Sequence, residues 1–450
     1  MSGAKAERYA SYKDSGAAWM GEIPENWNLV RVKDLISKIT SGVTPRGGAE
    51  SYVDVGIPFL RSQNVHNDGL RLDDVSFISE STHQEMSNSQ VKPGDIVFNI
   101  TGASIARTCI VPDVIKTANI SQHIALLRPR KLYETKFISY YLQSQLVKDY
   151  VYLTQSGASK EAFNHGQMKC IPVSLPARHE QTAIAAYLDT KTAQIDRQID
   201  LLSQKATQYG KLKQSLINET VTRGLDKSVP MKDSGVEWIG EVPGHWDVRR
   251  VKEFSVLVNG ATPKSSVSEN WDGELPWVTT DDLGKLNTKF IKNTKRKITE
   301  QGYASCGTTI CPIGSVVISG RAPIGHIGIL SINACSNQGC KTLVLNLKIV
   351  NNLFIFYSLL SSKSKLEALG RGTTFIELSS KELGLFNLPL PSLQEQTAIA
   401  TYLDTKTTQI DSIVSTINIQ INTLKDLRKA LINDVVTGKI KVVREEGQAA

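Results

Sequence analysis

At 450 residues the chain is long enough to bury two to four cores, and a composition of 40% hydrophobic and 21% charged residues excludes wholesale disorder. No apolar run of about 18 residues occurs and the N-terminal segment has no apolar signal core, which excludes a helical membrane span and sets the expectation of a cytoplasmic protein. A net charge of +8 and a pI near 9.0 permit a nucleic-acid partner without requiring one.

The chain opens on a W-x-G-E-x-P-x-x-W segment carried by Trp19, Gly21, Glu22, Pro24 and Trp27. Short β-like runs punctuated by Gly and Pro follow, at Ile57–Arg61, Asp95–Ile100 and Ile124–Leu127, and then a helix-like piece at Lys136–Tyr150. A Pro-bounded exit at Ser174–Gln181 leads into a long Pro-free segment. The whole order then repeats. Trp238, Gly240, Glu241, Pro243 and Trp246 restate the opening; Leu275–Thr279, Ser315–Ser319 and Thr342–Leu347 restate the β-like runs; Asn352–Leu369 restates the helix and Pro389–Gln396 the exit. Identity is concentrated at two places. Gln181–Asp196 matches Gln396–Asp411 at 14 of 16 positions, and Lys13–Lys33 matches Lys232–Lys252 at 12 of 21. The stretches between resemble each other only faintly. The repeat divides the chain into 1–175, 176–228, 229–388 and 389–450, the first and third mixed globular domains, the second and fourth helical. Near-identical parts point to two copies of one partner and divergent parts to two different targets.

The helical segments carry the strongest periodicity. Leu188, Ile195, Leu202, Tyr209 and Leu216 fall seven apart, as do Leu403, Ile410, Ile417, Leu424 and Leu431, a heptad seam in each. Companion positions are weaker: Ile184, Ile199, Ala206 and Leu212 in the first, Ile399, Ile413, Ile421 and Leu427 in the second, with Lys191 and Lys205 interrupting one row. So narrow a stripe needs a partner helix, and the equivalent segment of the other repeat is the obvious one; packing of each helix on its own globular domain is the alternative. A helix of about 44 residues is roughly 65 Å long and matches roughly 19 base pairs of B-DNA, so a helix pair would serve as a spacer.

Catalytic signatures are missing. There is no phosphate-binding G-x-x-x-x-G-K-[ST], no G-x-G-x-x-G after a strand, no H-E-x-x-H and no G-x-S-x-G, nor the Pro-Pro motif of an amino-methyltransferase. Asp113, Glu134 and Lys136 loosely fit a metal-dependent nuclease pattern, but the second repeat has no counterpart acid. Cys306, Cys311, Cys335 and Cys340 have two x4 spacings, which fit reduced, mostly buried thiols better than a zinc site. No catalytic residue and no metal ligand is assigned.

The globular domains suit reading rather than cutting. Both place polar side chains beside glycine, where backbone can approach a ligand. In the first, the candidate DNA contacts are Thr44, Arg46, Arg61, Gln63, Asn64, Thr101, Ser104, Arg107, Gln122, His123, Ser159 and Lys160, with Asn119 nearby. In the second they are Thr262, Lys264, Thr279, Thr280, Asp281, Arg321, Asn337, Gln338, Arg371, Thr373 and Thr374. Arg suits guanine, Asn and Gln suit adenine, and carboxylates accept from cytosine. The exchange of Arg61-Ser-Gln-Asn for Thr279-Thr-Asp-Asp has the form of a change in base preference. Lys285–Lys297, with six basic residues and no acid, reads as a phosphate-contacting or simply solvated loop.

In this order and twice over, these motifs resemble the specificity subunits of type I restriction–modification systems along nearly the full chain. The resemblance rests on the W-x-G-E-x-P-x-x-W segments, the G-x-T-P turns Gly42–Pro45 and Gly260–Pro263, the run Lys92–Ser104, and the exits Pro176–Asp189 and Pro391–Asp404. It implies an α+β fold: two mixed α/β target recognition domains separated by two long conserved helices, which form an antiparallel coiled coil with pseudo-two-fold symmetry. Each domain would read one half of a bipartite, asymmetric double-stranded DNA site, with the helices setting the gap. Two modification subunits using S-adenosylmethionine and two restriction subunits using ATP and Mg are the implied partners. This chain itself would bind no cofactor and catalyse nothing.

Overall fold

The computed structural model describes residues 7–17, 19–154, 163–371 and 376–442. The chain forms two compact units, Met1–Leu202 with Ile419–Ala450, and Ser203–Asn418. Two long helices, Arg178–Arg223 and Leu393–Val436, are each divided between the units.

In the first unit, Thr108–Ile110, Ile96–Asn99, Ile124–Pro129 and Ile36–Ser41 form an antiparallel four-stranded sheet in that order. Its central strands read as continuous apolar runs because both faces are covered. Period-two geometry sorts them: Ile96, Phe98, Ala125 and Leu127 point into one core, Val97, Ile124 and Leu126 into another. A second sheet orders Ser76–Ile78, Ile57–Leu60, Ala118–Ile120 and Gln90–Val91. The helix expected over 136–150 is two helices, Thr135–Gln143 and Gln145–Thr154, broken where Ser144 turns extended.

The second unit repeats the plan with an addition. Ser255–Asn259, Cys340–Leu345, Val316–Ser319 and Ile327–Leu330 form the corresponding sheet, and Phe290–Ile291 joins its edge as a parallel fifth strand. The smaller sheet orders Arg296–Ile298, Trp271–Val278 and Cys335–Ser336. Cys311 and Cys340 pack in one apolar cluster and Cys335 in another, and burial pushes the Cys340 thiol up to about 12.

The duplicated opening segments have a packing role. In each unit a short hairpin (Tyr12–Asp14 with Glu22–Pro24; Met231–Asp233 with Glu241–Pro243) leads to a tryptophan buried in the main core, Trp27 or Trp246. The duplicated exits act likewise. The Gln181 carboxamide accepts the Glu134 backbone N–H (2.9 Å) and donates to the Pro176 carbonyl (2.9 Å). Gln396 does the same with Asn351 (2.8 Å) and Pro391 (2.9 Å). Eight residues on, Asp189 accepts from Lys136 (2.6 Å) and Tyr140 (2.8 Å), and Asp404 accepts from Lys289 (2.5 Å) and Tyr357 (3.4 Å). Each long helix is thereby fastened at its N-terminal end to a globular core.

Within each unit the start of one long helix also meets the end of the other, so the pairing is antiparallel. In the first unit Ile184 and Leu188 share a core with Ile432, Val435 and Val436, and Asp196 pairs with Arg428 (3.0 Å). In the second, Ile217 and Val221 share a core with Ile399 and Leu403, and Lys213 pairs with Asp411 (2.6 Å). Leu188, Ile195, Leu403, Ile410 and Ile417 are buried; Leu202, Tyr209, Leu216, Leu424 and Leu431 are half-buried. The expected companion row is corrected at three positions, because Leu212, Ile413 and Leu427 are exposed. Packing on the globular cores and pairing of the helices are both realised.

Candidate nucleic-acid interface

In the first unit several turns meet at the ends of the sheet strands. Gly42 lies against the backbone of Ile120 and Ser121, where any Cβ would overlap both carbonyl oxygens. The Val43 N–H donates to the Ile120 carbonyl (3.2 Å), the Ser121 N–H to Leu60 (2.9 Å), and the Ile100 N–H to His123 (3.0 Å). Asn99 donates to the Ser62 carbonyl (2.8 Å) and to Ser104 Oγ (3.0 Å), joining two more turns. Thr44 and Arg46 project from this edge, exposed on either side of the buried Pro45. Thr101 Oγ1 bonds His123 Nδ1 (2.8 Å), and Gln122 lies beside the same ring (3.4 Å). Arg107 is half-buried in the adjoining turn. Asp74, which no sequence signal singled out, bonds Gln63 (2.6 Å) and lies 3.7 Å from Arg61.

Two expectations need correction. Asn64 is 2% exposed: its side-chain oxygen accepts the Arg61 N–H (2.8 Å) and its amide donates to the Arg71 carbonyl (2.9 Å), so it builds the turn. Asn119 is fully buried, donating to Met86 and Ser89 and bonded to His83. Ser159 and Lys160 lie outside the described residues.

The second unit builds the same edge on the same backbone contacts. Gly260 lies against the Ser336 and Asn337 carbonyls as Gly42 does against Ile120 and Ser121. The indole N–H groups of Trp277 and Trp271 donate to the Ala261 (3.0 Å) and Lys264 (3.3 Å) carbonyls, holding the turn that presents Thr262 and Lys264. Thr262 bonds Gln338. Thr279 is corrected to a helix cap: Asp282 accepts its N–H (2.8 Å) and hydroxyl (2.6 Å), which is the role Asn64 has opposite Arg61. Thr280 is half-buried, and Asp281 pairs with Lys285 (2.7 Å), whose ammonium holds the carboxyl below its ordinary range. Arg321 and Lys341 both bond Glu377 (3.1 and 3.0 Å), another residue without a sequence signal. Asn337 Oδ1 is buried without a partner among the described residues, while Gln338 is exposed. Arg371 pairs with Glu382 (2.7 Å); Thr373 and Thr374 lie outside the described residues.

Part of the basic run is engaged within the fold. Lys285 and Lys289 are paired with Asp281 and Asp404, Lys297 lies 3.6 Å from Glu274, and the Arg296 guanidinium stacks 3.6 Å from the Trp271 ring centre. Lys292 and Lys295 remain exposed with no ion pair among the described residues. Of the loose nuclease pattern, Glu134 pairs with Arg178 (3.0 Å) and Lys136 with Asp189 (2.6 Å), both fastening the first long helix.

Two homologous edges of polar turns, each on a two-sheet unit fastened to paired long helices, define a duplicated recognition protein. The profile for the type I restriction modification DNA specificity domain matches twice, at residues 24–207 and 243–423. The chain belongs to that family, and its function is DNA sequence specificity in a type I restriction–modification complex. A Methanocaldococcus jannaschii protein named for the MjaX type I restriction enzyme specificity subunit is 26% identical over 94% of this chain and 96% of its own length. The EcoR124I/EcoR124II specificity subunit of Escherichia coli is 26% identical over 56% of this chain and 58% of its own. Among solved structures, a chain from a type I R-M system studied for complex assembly and conformational transition superposes with a TM-score of 0.70, at 18% identity, covering 92% of this chain and 98% of that one. The HsdS subunit from Thermoanaerobacter tengcongensis gives 0.54 at 19% identity, covering 93% and 98%. No helix among the described residues is long and apolar enough to cross a membrane.

Proposed function

We propose that each unit reads one half of a split, asymmetric double-stranded DNA site, that the paired helices set the gap, and that two modification subunits dock on the helices. The observation that carries this is a contrast in where the repeat is identical. Beneath the two edges the backbone contacts repeat (Gly42 and Gly260, Asn64 and Asp282), while Arg61, Thr101 and His123 of one edge are replaced by Thr279, Arg321 and Gly339 at the corresponding positions of the other. On the helices even exposed residues repeat: Thr182, Thr190, Lys191 and Gln194 recur as Thr397, Thr405, Lys406 and Gln409. Solvent alone places no such demand on a surface residue; two copies of one partner do. In this reading the chain is cytoplasmic, catalyses nothing and holds no cofactor. The modification subunits use S-adenosylmethionine, and two restriction subunits use ATP and Mg.

Genome-wide mapping of adenine methylation with and without this gene tests the reading. Deletion should erase one split, asymmetric motif; an unchanged methylome in a strain whose modification subunits are expressed would refute it. Inserting four residues after both Ser203 and Asn418 should lengthen the recognised gap by roughly two base pairs, at about 1.5 Å per helical residue. An unchanged gap would show that the helices are not the ruler.

A further inference from the structure

We propose that Arg321 reads a guanine in the half-site of the second unit and that Glu377 is the residue that positions it; the inference rests on the DNA-reading function proposed above. The Glu377 carboxylate is divided between two cations. Its Oε1 accepts from Lys341 Nζ (3.0 Å) and its Oε2 from Arg321 Nε (3.1 Å). The Lys341 side chain is only 8% exposed, so it requires a counter-ion; Arg321 is 44% exposed and faces solvent. Burial pushes the Glu377 carboxyl up, but the two cations outweigh it and hold the group below its ordinary range, so it is ionised at neutral pH.

One carboxylate between two cations leaves a net positive charge at the exposed end, and engagement through Nε leaves the two Nη groups without a partner among the described residues. That fork matches the O6 and N7 acceptors of guanine in the major groove, a geometry an ammonium cannot supply. The backbone around it is fixed. Arg321 and Glu377 form an isolated antiparallel bridge, the Gly320 N–H donates to Gly339 (2.7 Å), and the Leu378 N–H donates to Gly320 (2.7 Å). The Arg321 stem lies over Gly339, whose missing side chain leaves bare backbone between Arg321 and Thr280, next to the exposed Gln338. The first unit has Thr101 and His123 at the corresponding places, so this reading belongs to one half-site only.

Selection from random duplexes by the full chain, assembled with its modification subunits, tests this. The wild type should favour guanine at one position of one half-site by roughly five- to a hundredfold. Arg321→Ala and Arg321→Lys should both abolish that preference and leave the other half-site untouched, with Lys retaining overall affinity within a few-fold. Glu377→Gln should weaken the same preference, since Lys341 then repels an Arg321 it no longer shares an anion with. Arg321 is at the surface, so its variants test the reading even if Glu377→Gln fails to fold. Uniform weakening of all sequences by Arg321→Ala would mark a phosphate contact and overturn the inference, as would a change confined to the other half-site. A wild type with no sequence preference would instead overturn the DNA-reading function, and this inference with it.

Discussion

The two recognition edges differ most where they face outward and least where they touch their own backbone. On the first, Arg61 and Gln63 share the exposed Asp74, and Thr101 leans on His123. On the second, Arg321 shares Glu377 with a buried lysine, and Thr262 bonds Gln338. Beneath both, a glycine packs against a neighbouring strand and an Asn or Asp closes the next turn. The glycines that shape the loops recur in both units, while Arg61, Thr101 and His123 give way to Thr279, Arg321 and Gly339. A reading surface can diverge in this way without disturbing the fold that carries it.

The sharpest way to break this comparison is at the shared glycines. Gly42→Ala and Gly260→Ala each drive a Cβ into strand carbonyls, and each should cost about 3 kcal/mol. That corresponds to a melting temperature lower by roughly 6–12 °C. If either variant melts within about 2 °C of the wild type, the close approach is not a constraint. A smaller effect separates the two caps. Asn64→Ala removes only neutral hydrogen bonds, the acceptor of the Arg61 N–H and the donor to the Arg71 carbonyl, and should cost about 1 kcal/mol; Asp282→Ala removes a charged acceptor of Thr279 and of the Lys295 N–H (3.0 Å) and should cost about 2 kcal/mol. Equal losses in denaturant titrations would contradict that ranking.

The smallest difference is one of pH. At the end of the same sheet strand Ser41 bonds His165 (2.6 Å) in the first unit, where Asn259 bonds Ser380 (2.5 Å) in the second. Burial, helped by Lys169, lowers the His165 pKa. The unfolded chain therefore takes up the proton more readily than the folded one, and stability is full above about 6.5 and declines as pH falls below it. His165→Asn should flatten that decline in a melting-temperature series. Superimposable profiles for the two proteins would rule it out.

The repeat, the sheet strands and the heptad seam were legible because each is a local pattern. The helix break at Ser144 was not, since nothing in the apolar spacing of Lys136–Tyr150 distinguishes one helix from two. Asn64 and Thr279 offer the same donors and acceptors to a base as to their own turn, so residue type alone cannot separate reader from cap. The partners of the basic run were hidden for a related reason: Asp404, Trp271 and Glu274 are set by tertiary packing, not by nearby sequence. Asp74 and Glu377 act through side chains that the fold brings to them.

The sharing of the long helices between the units reverses the usual relation between gene position and damage. Ile432, Val435 and Val436, near the end of the chain, sit in the core of the unit that begins at its start, together with Trp27 and Phe137. A premature stop after Asn418 would leave every residue of the second unit in place and would open the core of the first. Late truncations should therefore silence the domain translated earliest, and a fragment ending before the second long helix would hold neither unit complete.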